Sequence, residues 1–130
     1  MAESKGTVLV VDDEEPIRNI ASEILSYLGY TVLTVPSGEK AVEALRQGAR
    51  PDVVLLDIIM PGWSGARTLL ELRSIDPDLP ILISTGYADR ASHDSLLRDG
   101  ADGFVSKPYG IDTLARALET RAGRRLKNIK

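Results

Sequence analysis

The chain has 130 residues, 43% hydrophobic and 27% charged, with a net charge of −3 and no cysteine. That length suits one compact domain with its own core, and the lack of cysteine excludes disulfide frameworks, thiolate nucleophiles and Cys-ligated metal sites. No apolar run reaches the roughly 20 residues that span a bilayer, and the opening MAESKG has no signal-peptide core, so a cytoplasmic domain without membrane contact is expected.

Thr7–Val11 (TVLVV) is a short β-branched run suited to a strand buried on both faces. Ile17, Ile20, Ala21, Ile24, Leu25 and Leu28 then recur at helical spacing. Pro16 sits in the first turn, where helices tolerate it, and Gly29 where they stop. Thr31–Val35 reads as a second strand, and Ser37 as the cap of a helix carrying Ala41, Val42 and Leu45 and closed by Gly48. Asp52–Leu56 (DVVLL) is the most apolar strand and is expected at the centre. After the turn MPGWSG, Leu69, Leu70 and Leu72 lie on a helix that ends before Asp76-Pro77. Pro80–Ser84 gives a fourth strand, Ala91–Arg98 a weaker helix, Gly103–Ser106 a short fifth strand, and Ile111, Leu114, Ala115 and Leu118 a last helix. Residues 121–130 hold five Lys/Arg and no acid, leaving −8 on the first 120 residues. An acidic body repels phosphate backbones, so direct nucleic-acid binding is not expected. The domain is read as 1–122, with 123–130 a basic tail or linker remnant.

Strand and helix periods in strict alternation imply an α/β fold, a parallel sheet covered by helices on both faces. Ligands of such open sheets bind beyond the carboxyl ends of the strands, so function is sought there. Asp12-Asp13 follows strand 1, Asp57 strand 3, Thr85-Gly86 strand 4 and Lys107-Pro108 strand 5. Converging carboxylates resist ionisation unless a cation neutralises them, and oxygen donors without His or Cys suit Mg²⁺. A carboxylate attacks phosphorus to give an acyl phosphate, and that transfer needs in-line positioning and neutralised phosphoryl oxygens. Asp57 is the preferred nucleophile because it leaves the central strand, with Lys107 and Thr85 as neutralising and hydrogen-bonding groups.

VLVVDDEEPIR, DVVLLDIIMPGWSG, ILISTGYAD and GFVSKPY resemble, in order, the signature segments of the response-regulator receiver domain of two-component signalling, over roughly residues 6–120. The resemblance implies a flavodoxin-like, doubly wound sheet of order 2-1-3-4-5 with five helices. It also implies that Asp12, Asp13, Asp57 and the Ile59 carbonyl hold Mg²⁺, and that Asp57 accepts a phosphoryl group from a histidine of a kinase or histidine phosphotransfer protein. Thr85 and Lys107 would contact the phosphoryl oxygens. Thr85 and the aromatic Phe104 would switch the face made by helix 4, strand 5 and helix 5, where partners dock and a homodimer is one option. Activity would be confined to gain and loss of the phosphoryl group on the chain's own aspartate.

Phe104 lacks a hydroxyl, so such a switch rests on packing. By the same resemblance Ile59 and Tyr87 would flank the path of attacking water; neither carries a carboxylate or amide to orient it, which points to slow hydrolysis. His93, the only histidine, is read as an ordinary surface residue, and Trp63 as a cover of the acceptor loop. DDEEP after strand 1 argues against a flavin-phosphate loop, Ile59 against a haloacid-dehalogenase-type phosphatase, and no Walker A segment is present. The alternative is a pseudo-receiver that binds partners without phosphorylation, although its usual losses, of the acceptor, an acid or the lysine, are absent. The wording STGYAD and FVSKPY resembles receivers of hybrid sensor kinases.

Overall fold

The computed structural model describes residues 4–86 and 93–119. In chain order they form β1 (Thr7–Val11), α1 (Glu15–Tyr27), β2 (Thr31–Val35), α2 (Gly38–Arg46), β3 (Val53–Asp57), α3 (Gly65–Ile75), β4 (Ile81–Thr85), α4 (His93–Arg98), β5 (Gly103–Ser106) and α5 (Ile111–Ala117). The strands make one parallel sheet of order β2-β1-β3-β4-β5, so β3 is central as its composition suggests.

Every residue of β3 is buried, and its side chains divide by parity between two cores. Val54 and Leu56 join Leu9, Leu45, Leu69 and Leu72 under α2 and α3, while Val53 and Leu55 join Val8, Leu25 and Leu114 under α1 and α5. A strand covered on both faces has no polar side, which is why its sequence runs apolar without alternation. The helical stripes bury in part as spaced: Ala21 and Leu25 on α1, and Ala41, Val42 and Leu45 on α2, are buried, whereas Ile20 of the α1 stripe is exposed and Ile17, Ile24 and Leu28 are half-buried. Leu70, Leu97 and Ile111 are exposed instead, each one position off the buried stripe of its helix or at its first residue. Ser37 caps α2 as expected, its Oγ accepting from Lys40 N at 3.1 Å. Gly29 and Gly48 follow the helix ends at φ of 102° and 109°, a conformation costly for other residues.

Strands 3 and 4 lie one residue later than their apolar runs. Asp57 and Thr85 are the last residues of their strands, because the ladder continues through them: Ile58 N donates to Ser84 O at 3.4 Å and Lys107 N to Thr85 O at 2.9 Å. At the other end of the sheet, Arg73 donates to the carbonyls of Leu79 and Gly100, both at 2.6 Å, and to the Asp102 carboxylate at 3.2 Å. Asp102 in turn accepts from Ile81 N at 2.8 Å, so one guanidinium joins the end of α3 to the starts of β4 and β5. The expected helix at Ala91–Arg98 is described from His93 onward; residues 123–130 and Tyr87 lie outside the described residues.

The loop after β3 folds back because α3 starts almost on top of it. Gly65 N donates to Ile58 O at 2.9 Å, and Ser64 Oγ caps the helix by accepting from Arg67 N at 3.2 Å. A Cβ at Gly65 would stand 2.5 Å from Ile58 Cα and 2.7 Å from Asp57 O, so this glycine is needed for space. Gly65→Ala is therefore expected to destabilise the fold by about 1–3 kcal/mol, since neither neighbour is a flexible side chain. Urea unfolding of the variant checks this, and an unchanged midpoint would mean that the loop is not held so tightly.

Candidate functional site

The carboxyl ends of β1, β3 and β5 bring together Asp12, Asp13, Asp57 and Lys107. Asp12, directly after β1, is fully buried, and Asp57 at the tip of β3 is 6% exposed, while Asp13 faces solvent. Carboxylate oxygens of the three lie within 4.8 Å of one another, so a small cation can be shared among them. Asp12 is fixed by its own turn: Oδ1 accepts from Glu14 N at 2.9 Å, and Arg18 donates to the Asp12 carbonyl at 2.8 Å. Asp57 Oδ1 accepts from Ile59 N at 3.2 Å, which orients the carboxylate toward the rim.

Lys107 enters from the end of β5. Its Nζ lies 2.9 Å from Asp12 Oδ2 and 3.2 Å from Asp57 Oδ2, bridging the two buried acids. The Asp12 Oδ2 contact is an ion pair by distance, and apart from this ammonium no donor among the described residues reaches that buried oxygen. An acceptor left so, beside two further carboxylates, fits a hard cation such as Mg²⁺.

The electrostatics agree with this crowding. Burial, with the Asp12 charge adding to it, raises the Asp57 carboxyl above its ordinary value of 3.8, against the pull of Lys107 and the Ile59 N–H. Burial alone would lower the Lys107 ammonium, but its bonds and charge interactions with Asp12 and Asp57 outweigh that and raise it above 10.5. Thus Lys107 stays cationic between two acids, one of which resists ionisation.

Over Asp57 lies an open cleft of about 480 Å³, walled by Asp13, Ile59, Met60, Pro61 and Lys107. Ile59 is 66% exposed there and presents only an aliphatic surface. A second cavity of about 360 Å³ lies beside it, between Thr85, Phe104 and Lys107. Thr85 is buried at the tip of β4, and Phe104 on β5 is half-buried. His93 is not the plain surface residue expected: its ring stacks on Phe104 with centroids 3.8 Å apart and planes at 9°. Its Nε2 is buried without a partner among the described residues. Stacking on β5 turns the ring inward across the start of α4, which a polar helix face does not reveal. Trp63 covers the loop after β3 as expected, with the Arg67 guanidinium 4.2 Å from its ring centre.

Three neighbours of the site escaped sequence reasoning. Ser84 and Tyr109 share a hydrogen bond of 2.6 Å below the carboxylates. The available signal was Ser84 itself, a hydroxyl inside the buried run PILIS, which requires a partner. Arg18 was passed over because a charged residue on α1 reads as solvated.

A family profile described as the response regulator receiver domain matches residues 8–119. The chain is 42% identical over 120 residues to the probable transcriptional regulatory protein TcrX of Mycobacterium tuberculosis, covering 90% of this chain and 51% of that protein. It is 36% identical to the sensor kinase CckA of Brucella abortus, over 87% of this chain and 12% of the kinase. The chain thus spans about half of the first of these curated relatives and about an eighth of the second. The crystal structure of chemotaxis protein CheY4 from Vibrio cholerae aligns with a TM-score of 0.82 at 33% identity, covering 92% of this chain and 99% of that one.

The raised Asp57 pKa has a sign that can be tested. The native state holds this proton more tightly than the unfolded chain, so the group's contribution to stability falls as pH rises from near 3.8 through its native pKa. In metal-free protein, Asp57→Asn is expected to melt at a higher temperature than the wild type at neutral pH. The gap should close as pH drops through the native pKa. Scanning calorimetry at several pH values checks this, and a wild type that melts higher at neutral pH would contradict it.

Proposed function

Because the chain belongs to the response-regulator receiver family, we propose that it is a phosphorylation-activated signalling receiver with Asp57 as acceptor. The observation that carries this reading is the Lys107 ammonium within 3.2 Å of Asp57 at the tip of the central strand, beside two further carboxylates. In the transfer, an Asp57 oxygen attacks phosphorus. The bond from phosphorus to the imidazole nitrogen of the donor breaks, and the imidazole keeps the electron pair and takes up a proton. The donor is a histidine kinase or a histidine phosphotransfer protein.

Asp12, Asp13, Asp57 and the Ile59 carbonyl would hold Mg²⁺, which when bound neutralises the phosphoryl oxygens and the crowded acids. Lys107 stabilises charge on the opposite side, and its raised pKa keeps it protonated throughout. Thr85 would hydrogen-bond a phosphoryl oxygen. Its movement would draw Phe104 into the cavity between Thr85 and Lys107 and remodel the α4-β5-α5 face, where an output partner or a second copy docks. With no phenolic hydroxyl at position 104, this step exchanges one packing for another, and the His93 stack is part of the resting arrangement. The relatives join such a domain to further domains, so residues 123–130 are proposed as a linker toward another unit.

Intact-mass measurement after incubation with Mg²⁺ and acetyl phosphate tests the reading. One labile phosphoryl adduct is expected, lost in Asp57→Ala and lost on chelation of the metal. An unmodified protein under these conditions would favour a phosphorylation-independent interaction module instead.

The aliphatic wall at Ile59 also sets an expectation for the lifetime of the adduct. Ile59→Asn combined with Tyr87→Glu supplies groups that orient water, and hydrolysis should accelerate on the order of tenfold or more. Decay of the adduct after removal of the donor gives the rate, and an unchanged rate would refute the assignment of these positions.

A further inference from the structure

Below the carboxylates lies a polar contact that phosphoryl transfer, as set out above, does not use. Ser84 is fully buried in β4, and its Oγ is 2.6 Å from the phenolic oxygen of Tyr109. Tyr109 is partly buried and packs against the core under α1 and α5. Burial pushes the phenol up to about 12, against the hydrogen bond from Ser84 and the charge of Lys107, so the hydroxyl stays neutral across the physiological range. Two buried hydroxyls that satisfy each other add little net stability over alanine and phenylalanine in the same space. Stability alone is therefore a weak reason for this pair.

Its position supplies a better one. The Ser84 backbone lies in register with Asp57, and the Ser84 carbonyl accepts from Ile58 N at 3.4 Å, so this residue grips the end of the acceptor strand. Tyr109 stands two residues after Lys107, on the loop between β5 and α5. One hydrogen bond thus joins the strand residue beside the acceptor to the loop that carries the ammonium. Lys107 is also tied to β4 by its backbone bond to Thr85 O at 2.9 Å, while its long side chain meets only the two acids, Asp12 and Asp57, among the described residues.

We propose that the Ser84–Tyr109 hydrogen bond is a brace that sets Lys107 against Asp57, which makes Ser84 and Tyr109 positioning residues for phosphoryl transfer. The inference rests on the reading of Asp57 as acceptor. Small displacements of a charge-stabilising group slow a transfer without abolishing metal binding, because the acids that would hold the metal are fixed by other contacts.

The test uses the full chain with Tyr109→Phe, Ser84→Ala and the double variant. Three quantities are measured: the rate of adduct formation at saturating Mg²⁺ and acetyl phosphate, Mg²⁺ affinity by Trp63 fluorescence, and the melting temperature. Each single variant is expected to lower the saturated rate about five- to twentyfold and to keep Mg²⁺ affinity within about twofold. Each also orphans one buried hydroxyl and lowers the melting temperature. The double variant has no orphan, so its melting temperature should recover while its rate stays low, and it carries the test if a single variant fails to fold. Single variants with the wild-type rate, or a double variant whose rate recovers with its stability, would overturn the brace alone. A wild type that takes no adduct would overturn the acceptor reading, and the brace with it.

Discussion

Three acidic side chains meet at the carboxyl edge of the sheet, two of them buried, and a single ammonium stands between those two. Lys107 lies 2.9 Å from Asp12 and 3.2 Å from Asp57, and neither acid could be buried so fully without it. The arrangement follows from parallel strand order. With β1 and β4 flanking β3 and β5 beside β4, every strand end faces the same way, so residues distant in sequence become neighbours. The apolar strands supply the rigid floor, and the charged ends are what that floor holds up. Removing Lys107 would leave two buried carboxylates facing each other, which a cation from solution or protonation of one of them would have to offset.

The same crowding suits the site to a bound cation. A carboxyl whose pKa is raised by burial is held in a strained electrostatic state that a bound cation relieves. Asp57 is also held in direction by the Ile59 N–H, and the loop beyond it is folded back under the first residue of α3. Gly65 permits that close approach, so Asp57 stands at the bottom of an open cleft instead of beneath its own loop. Beside the cleft, the cavity bordered by Thr85 and Phe104 offers room for a ring now stacked on His93.

Much of this was legible in the residues. Runs such as TVLVV and DVVLL announce strands buried on both faces, and the positions after them announce the rim, since a parallel sheet fixes where ligands bind. Asp12, Asp13, Asp57 and Lys107 came from that rule, and the structure brings all four together. What stayed hidden depends on side chains that cross between elements. Nothing in the spacing says that the His93 ring lies on Phe104, that Tyr109 reaches back to Ser84, or that Arg73 gathers carbonyls from two turns. The one-residue shift of β3 and β4 was hidden for a related reason. Apolar runs mark where side chains are buried, whereas strand ends are set by backbone hydrogen bonds that continue into polar residues.

The central claim is that Asp57, among three neighbouring carboxylates, is the one that carries the phosphoryl group. Reductive trapping locates an acyl phosphate directly: borohydride converts the modified aspartate to homoserine, and peptide mass spectrometry then finds the position. The account predicts homoserine at position 57 after incubation with Mg²⁺ and acetyl phosphate, with positions 12 and 13 unchanged. Homoserine at position 12 or 13, or at none of the three, would contradict it.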